Sequence, residues 1–346
     1  MSDIQHTVPT TRSSSSLRCV VCNAKQKDST KNLVVCIDGT SDQFGPNNTN
    51  VVKLFAKIDL ESTHPEQFAF YSSVIGTRSE SLHALGRMQR AVYDKLGMAV
   101  VRDMRENVKD AYGWLAQMYR EGDQIYLFGF SQGAYQVRVL AGIIHEVGLM
   151  KEATMKDQIG KAYDCYEAIH QGKSTAMRTV REFKNTFCWE DVRVHFVGVW
   201  DTVSSVGLIG DGLLPTSSSA AHTCHFRHAL ALDELRVKFM PEYFHQTNSP
   251  MNLSGRRREI IDVKEVWFAG SHSDVWFRNA GHVSLLWMRR EAAANGLVLK
   301  STDIVWLPDD LDSGVRNSMT PIWRALEYLP IRHQVSFSGS GEHAVR

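Results

Sequence analysis

The stretch QIYLFGFSQGAY, at residues 124–135, constrains the fold of this 346-residue chain more than any other segment. A mostly apolar run leads into a Gly-x-Ser-x-Gly sequence, and an apolar segment with helical periodicity follows at once. This pattern predicts a buried strand, a sharp turn with Ser131 at its apex, and a helix that begins directly after the turn. Gly129 and Gly133 would flank the turn where the backbone leaves no room for a Cβ atom.

The rest of the chain alternates short apolar runs with amphipathic segments, which is typical of βα units. We therefore expect one α/β domain over residues 32–335, with a mostly parallel central sheet flanked by helices. The polar residues 1–31 and the tail 336–346 are expected to be disordered. Strands are predicted at 32–40, 68–77, 124–130, 191–201 and 263–272, and helices at 101–122, about 132–147, about 155–170 and 281–296.

Composition excludes several classes of function. The formal net charge is +1, so no strong field favours nucleic acid as a partner. Six cysteines in a chain of this length do not form a disulfide framework, and the pair Cys19 and Cys22 has no second pair at zinc-ribbon spacing. The sequence has neither a membrane-spanning apolar run nor a secretory signal. We expect a cytoplasmic protein without a metal or cofactor, and the oligomeric state stays open.

Polar residues stand at the ends of four predicted strands, namely Asp38, Ser131, Asp201 and His272. The carboxyl ends of parallel strands meet at one edge of a sheet, where ligands bind. A serine hydroxyl becomes a nucleophile only when a base takes its proton and a carboxylate orients that base. The chain order Ser…Asp…His suits this arrangement, so we predict a triad of Ser131, Asp201 and His272. The alternatives are a cap or Asx turn for Asp201 and a backbone-bonded loop histidine for His272.

Two backbone amides are expected to stabilise the oxyanion that such a serine creates. The Gln132 amide follows the nucleophile directly, and an amide of Gly39 or Thr40 is the candidate second donor. The run Asp38-Gly39-Thr40 also occurs in phosphatases of the haloacid-dehalogenase type, but the position of their nucleophilic aspartate holds Cys36 here. We therefore interpret this run as a loop beside the serine.

The remaining histidines and one carboxylate stay open at this stage. His282, at a predicted helix start, is the reserve base, and Asp274 either orients a loop or binds an ion. His222, His225 and His228 cluster, but no carboxylate motif accompanies them as in a metal site.

Taken together, these segments resemble an α/β-hydrolase-like domain-of-unknown-function family, which includes the catalytic domain of type VI secretion phospholipase effectors. The resemblance covers roughly residues 32–330 and implies the same triad that the strand ends indicate. Two departures stand out: Gln132 replaces the arginine after the serine, and Trp276-Phe277-Arg278 replaces a glycine run. The matching blocks are Ile37 to Thr40, Thr49 to Val51, Gly129 to Ala134, Gly198 to Val203, Ala229 to Phe239 and Trp267 to Val275.

We therefore expect a serine hydrolase that cleaves acyl esters. By the resemblance, the substrate would be a lipid or phospholipid, with transient contact to a membrane surface. Two alternatives remain, a small-molecule carboxylesterase or thioesterase and a catalytically inactive hydrolase-like binding module. The second alternative draws on the bulky residues Trp276-Phe277-Arg278, which could reshape the loop that carries His272.

Overall fold

The computed structural model describes residues 30–40, 48–74, 89–151, 156–203, 223–244, 262–277, 279–302, 304, 317–319 and 324. The terminal segments that we expect to be disordered, residues 1–31 and 336–346, lie outside this description except for residues 30 and 31. The pair Cys19 and Cys22 and the side chains of Trp276-Phe277-Arg278 also lie outside it.

The described residues form six strands and seven α-helices. The strands are β1 (Asn32–Thr40), β2 (Gln67–Val74), β3 (Gln124–Phe130), β4 (Val194–Trp200), β5 (Thr223–Ala231) and β6 (Asp262–Phe268). The helices are α1 (Asn50–Phe55), α2 (Gln89–Met118), α3 (Gln132–Glu146), α4 (Lys156–His170), α5 (Ala176–Phe187), α6 (Asp274–Phe277) and α7 (Asn279–Ala294).

All six strands are parallel and form one sheet in the order β2-β1-β3-β4-β5-β6. The chain runs outward from β1 to β2 and then returns to place β3 on the other side of β1. The winding direction therefore reverses between β1 and β3, and in open α/β sheets ligands bind in the crevice at such a switch point. The expected α/β fold with a mostly parallel sheet is confirmed.

Two apolar layers cover the sheet because alternate strand residues point to opposite faces. Leu33, Val35 and Ile37 of β1 belong to the core under α2–α5. Val34 and Cys36 belong to the opposite core, under α1 and α7. The Cys36 thiol is fully buried, and burial raises its pKa, so it is a packing residue here.

Several predicted bounds need correction. The helix α2 begins at Gln89, twelve residues before the predicted start, and β6 ends at Phe268, four residues before His272. The elements α1, α5, β5 and α6 were not predicted. The strand β5 escapes the apolar pattern because His225, Arg227 and His228 occupy buried positions in it. Carboxylates on neighbouring elements compensate the cost of burying these side chains.

Candidate active site

Ser131 sits on a strained turn between β3 and α3. Its backbone has φ 55° and ψ −121°, a conformation that a residue with a Cβ atom adopts only under constraint. The turn is held on both sides, because the Ser131 amide donates to the Trp200 carbonyl at 3.0 Å and the Ser131 carbonyl accepts from the Tyr135 amide at 3.2 Å. The strain projects the serine side chain at the carboxyl edge of the sheet, as a nucleophile elbow requires.

The two glycines of the motif occupy positions where no other residue fits. A Cβ on Gly133 would lie 2.1 Å from the Ile37 carbonyl oxygen, and a Cβ on Gly129 would lie 2.6 Å from the Gly133 carbonyl oxygen. Neither contact can relax, because each neighbour is backbone. Glycine at both positions therefore lets α3 start against β1 and β3.

Ser131, His272 and Asp201 are joined by two hydrogen bonds. The Ser131 hydroxyl lies 2.9 Å from His272 Nε2, and His272 Nδ1 lies 2.5 Å from Asp201 Oδ2. A carboxylate oxygen can only accept, so Nδ1 carries the proton and Nε2 is the acceptor for the serine hydroxyl. The imidazole is thus held in the tautomer that can take a proton from Ser131.

Asp201 follows β4 directly, in a backbone conformation of positive φ (41°). Its amide donates to the Ala229 carbonyl at 2.8 Å, and its Oδ1 accepts from the Ala231 amide at 3.1 Å. The carboxylate is therefore fully buried yet bonded on both oxygens, which is what a buried charge needs. Because its oxygens bond to Ala231 and His272, it forms neither the helix cap nor the Asx turn that the sequence left open.

His272 lies in the turn after β6, between two aromatic rings. The ring centroids of Phe130 and Phe239 are 4.9 and 5.0 Å from that of the imidazole. The His272 amide donates to Glu234 Oε2 at 3.1 Å, so the backbone of the histidine is anchored as well as its ring. Glu234 is bonded by both Nε and Nη2 of Arg236 at 2.8 Å. Although burial raises the pKa of Glu234, the bonds from Arg236 and Ser318 lower it to about 2.

Asp274 holds the turn that carries His272. Its Oδ2 accepts from both the amide and the hydroxyl of Ser271, at 3.0 and 2.9 Å. Gly270 has φ +116°, and a Cβ there would lie 2.6 Å from the Asp274 Cβ. Asp274 therefore has a loop-orienting position, one of the two alternatives from the sequence.

The N-terminal amides of α3 are not capped by the side chain that precedes them. A serine at an N-cap usually accepts a bond from an amide of the first turn, but the Ser131 hydroxyl makes no such bond and lies against His272. The Gln132 amide thus begins an uncapped helix terminus, where negative charge is favoured. The Gly39 amide already donates to Asp38 Oδ1 at 2.8 Å. It therefore differs from the free second donor to the oxyanion that the sequence led us to expect.

Asp38 supports the neighbouring loop. It is fully buried and accepts hydrogen bonds from the Thr49 hydroxyl at 2.5 Å and the Tyr71 hydroxyl at 3.1 Å. Burial raises the pKa of its carboxyl, which these donors partly offset. The Thr49 hydroxyl also accepts from the Val52 amide, so one contact ties the end of β1 to the start of α1.

A second histidine–carboxylate pair lies next to Asp201, and sequence reasoning missed it. His228 is fully buried, its Nε2 accepts from the Thr202 amide at 3.1 Å, and its Nδ1 lies 3.0 Å from Glu265 Oε1. Because an amide only donates, His228 must be neutral with its proton on Nδ1. Burial lowers its pKa, in keeping with the neutral form. The apolar run ALA after His228 was the signal of a buried strand.

The other candidate histidines lie elsewhere. His282 lines a cleft beside α1 and is not bonded to Ser131. His225 pairs with Asp262 Oδ2 at 3.0 Å near the start of β5, and His222 lies outside the described residues. In the described part of the chain, no three histidine, cysteine or acidic side chains are grouped as metal ligands. None of the helices described here is long and apolar enough to cross a bilayer.

A comparison with known protein families identifies the family of the chain. A model of the type VI secretion phospholipase effector Tle1-like catalytic domain matches residues 31–291, most of the chain. The chain belongs to this family. The match confirms the resemblance drawn from the sequence motifs, but it ends at residue 291 rather than near 330.

Individual relatives are more distant. The uncharacterized protein YEL023C of Saccharomyces cerevisiae is 32% identical over 228 residues, which cover 62% of this chain and 33% of the yeast protein. The chain thus spans about a third of the length of that relative.

Two solved structures are also similar. One, an uncharacterized protein from Pseudomonas aeruginosa, has 15% identity and a TM-score of 0.42, over 86% of this chain and 48% of that one. The other, the Tle1 effector bound to the VgrG spike from the type VI secretion system, has 14% identity and a TM-score of 0.36, over 72% and 51%. Both TM-scores are below 0.5, so the family assignment rests on the sequence match.

Proposed function

We propose that this chain is a serine hydrolase that cleaves acyl esters of lipids, with Ser131, His272 and Asp201 as its catalytic residues. The proposal rests on one observation above all, the hydrogen bonds of 2.9 and 2.5 Å that join the three side chains. The strained backbone of Ser131 and the uncapped start of α3 support it independently.

In the first half of the reaction, the Ser131 oxygen attacks the ester carbonyl carbon while His272 Nε2 takes the hydroxyl proton. The carbonyl oxygen becomes an oxyanion, which the Gln132 amide stabilises at the N-terminus of α3. We assign the second donor to the Thr40 amide, since the Gly39 amide is occupied by Asp38. The tetrahedral intermediate then collapses, and His272 gives its proton to the departing alcohol.

In the second half, water attacks the acyl-serine. His272 removes a proton from the water and returns it to Ser131, and a carboxylic acid leaves. Asp201 keeps the imidazole in one tautomer and stabilises the imidazolium that forms twice per cycle. The Ala231 amide on Asp201 Oδ1 fixes the carboxylate for this role.

A lipid substrate is favoured by the family and by the surface beside His272. The segment that follows β5 exposes large apolar side chains, among them Leu235 at 57% and Met240 at 45%. Trp267, 46% exposed, lies beside Tyr243 with ring centroids 6.0 Å apart. Apolar side chains exposed together usually mark an interaction surface. The segment that carries Leu235 and Met240 also carries Glu234 and Phe239, which contact His272. We propose that they meet the lipid surface from which the substrate is drawn.

Hydrolysis assays on the purified chain test the reaction. We expect wild type to hydrolyse phospholipid vesicles and short p-nitrophenyl esters, and Ser131→Ala to hydrolyse neither. Ser273→Ala is a matched control, because this serine is near His272 in the chain but bonds to Ser271. Turnover that survives in Ser131→Ala would refute the assignment. A folded wild type that cleaves only the short esters would favour the small-molecule carboxylesterase alternative.

A second pair of variants tests the lipid surface. Leu235→Glu should lower vesicle hydrolysis and leave p-nitrophenyl ester hydrolysis unchanged, because a charge at this surface opposes contact with the lipid phase. Met177→Glu is the control, since Met177 is 64% exposed on α5, away from the segment that borders His272. Equal vesicle hydrolysis by both variants would contradict a lipid-facing role for Leu235.

A further inference from the structure

A cleft of about 510 Å³ lies beside α1, outside the triad, and no step of the proposed reaction uses it. Its polar lining consists of Asn48, Lys53, Lys57, His282 and Thr302, and its other three lining residues are apolar. No carboxylate belongs to the described lining. A cleft of this size accommodates a small ligand, and this lining suits one that is anionic with an apolar part.

The two lysines of the lining lack a carboxylate partner among the described residues. Within the residues that the structure describes, neither Lys53 nor Lys57 forms an ion pair, whereas Lys300 close by pairs with Glu61. Lys53 is partly buried, and this burial lowers its pKa. An ammonium group that loses hydration without gaining a carboxylate is stabilised when an anion binds.

A third cation lies behind the cleft. Arg289 of α7 is 8% exposed, its Nη2 donates to the Lys300 carbonyl at 2.7 Å, and its Nη1 is buried without a partner among the described residues. The Lys300 amide donates in turn to the Lys57 carbonyl at 2.8 Å. Lys300 thus links the guanidinium to the backbone of Lys57, and the guanidinium adds positive potential on the side of the cleft where Lys57 lies.

The cleft begins at the edge of the sheet that carries Ser131. The lining residue Asn48 precedes Thr49, whose hydroxyl donates to Asp38 at the end of β1. Gly39 follows Asp38 in the chain, and a Cβ atom on Gly39 would lie 3.5 Å from the Ser131 Cβ. From Thr49 the helix rises by about 1.5 Å per residue, so Lys53 stands roughly 6 Å along it. The cationic lining therefore runs from the rim of the candidate active site down the side of α1.

We propose that this cleft binds a phosphate group, either free or as the headgroup of a phospholipid. Two ammonium groups and neutral polar donors suit a phosphate, which offers several strong acceptor oxygens and at least one negative charge. The apolar residues of the lining suit the part of a phosphate ester next to the phosphate. Binding at this cleft does not require the proposed hydrolysis.

Calorimetric titration of the full chain carrying Ser131→Ala tests the proposal without any turnover. Inorganic phosphate and monomeric dihexanoyl phosphatidic acid are the two ligands, at constant ionic strength. We expect saturable binding of at least one, weakened by roughly tenfold or more in Lys53→Met/Lys57→Met, because both charges are lost while the aliphatic stems remain. Lys173→Met, at an exposed turn, is the matched control and should bind as the parent does.

The two ligands distinguish the sources of the phosphate. Tighter binding of phosphatidic acid indicates a headgroup site, and equal or tighter binding of inorganic phosphate indicates a free-phosphate site. Either result supports the proposal if binding is weakened in the double variant. Absence of saturable binding of both, or equal binding by the double variant, would overturn it. If thermal melts show that the double variant is destabilised, Lys57→Met alone replaces it, with a several-fold loss expected and equal binding contradicting.

Because the parent protein of the titration carries Ser131→Ala, a failure to bind phosphate can be told apart from a failure of the proposed hydrolysis. Ester turnover by wild type, together with no phosphate binding, would refute only the proposal that the cleft binds phosphate. Phosphate binding without any turnover would refute the hydrolase proposal alone.

Discussion

Two histidine–carboxylate pairs lie next to each other in this fold, and they differ in what the second ring nitrogen faces. In both, Nδ1 meets a carboxylate, Asp201 for His272 and Glu265 for His228. The Nε2 of His272 faces the Ser131 hydroxyl, whereas the Nε2 of His228 accepts from the Thr202 amide. A hydroxyl can yield its proton during a reaction, and a backbone amide cannot.

Under the proposed mechanism, the difference indicates that such a pair acts in catalysis only when a third group faces its free ring nitrogen and substrate can reach it. His228 is fully buried and clamps the residue after Asp201, while His272 is 6% exposed at the edge of the sheet. Arg138, also buried, donates to the carbonyls of Glu242 and Tyr243, so the polar groups around His228 fasten chain segments to one another. Substitutions should therefore affect turnover at one pair and stability at the other.

The largest expected effect is that of His272→Ala. Loss of the base should lower ester turnover by roughly 10⁴-fold or more, with a small change in melting temperature. His228→Gln is the matched variant, since its amide oxygen can still accept from Thr202, and we expect turnover within about tenfold of wild type. Steady-state assays with a p-nitrophenyl ester measure both. Equal losses in the two variants would break the comparison.

The carboxylates should differ in the same direction. Asp201→Asn removes the charge that fixes the His272 tautomer, and we expect turnover to fall by about 10³- to 10⁴-fold. Glu265→Gln leaves an oxygen for the His228 Nδ1 proton and should lower turnover by less than about tenfold. Both rates are read in the same assay. A larger loss in Glu265→Gln than in Asp201→Asn would contradict the assignment of roles.

Deleting the buried imidazole should act on stability. His228→Ala leaves the Thr202 amide and the Glu265 carboxylate without a partner, which costs about 1 to 3 kcal/mol of unfolding free energy. Urea denaturation of wild type and variant measures the difference. Unchanged stability, with turnover lost as in His272→Ala, would show that His228 takes part in the chemistry.

The pH dependence of stability sharpens the comparison further. Burial lowers the pKa of folded His228 below its unfolded value of 6.5, against the opposing influence of Glu265. Below that value the unfolded chain binds the proton more readily, so stability falls as the pH drops toward the folded pKa. His228→Gln should therefore lose less melting temperature between about pH 7.5 and 5.5 than wild type. Identical losses would contradict the pKa direction.

The smallest expected effect concerns the anchor of His272. Glu234→Gln retains an oxygen for the His272 amide but loses the charge paired with Arg236, and we expect kcat to fall about two- to tenfold. Because the pKa of folded Glu234 is about 2, its carboxylate stays charged in wild type across the assay range. Glu121→Gln, at an exposed turn, is the control. A kcat equal to wild type would remove Glu234 from the positioning residues.

The sequence predicted the parts of this fold that obey simple patterns. The apolar runs of β1, β3 and β4 and the Gly-x-Ser-x-Gly turn identified both the parallel sheet and the position of Ser131. The sequence also predicted that Gly133 leaves no room for a Cβ atom, but the atom that occupies the space, the Ile37 carbonyl oxygen, lies far away in the chain. Local pattern thus predicted where the serine stands, and tertiary contact explains why.

Prediction from the sequence failed where buried polar side chains occupy strand positions that are usually apolar. His225, Arg227 and His228 gave β5 the appearance of a polar segment, because their partners Asp262, Glu291 and Glu265 come later in the chain. The same holds for the positioning of His272, whose backbone anchor, Glu234, lies 38 residues upstream. One of its ring neighbours, Phe239, comes from that segment, and the other, Phe130, from the end of β3. Pairing between distant residues leaves no local pattern to read.

The central claim is that Ser131 is a nucleophile activated by His272. Incubation of wild type with a fluorophosphonate probe, followed by mass spectrometry of its peptides, tests it most directly. We predict one adduct on the peptide that contains Ser131, none in Ser131→Ala and slow labelling in His272→Ala. Full labelling of Ser131→Ala, or a folded wild type that takes up no probe, would contradict it.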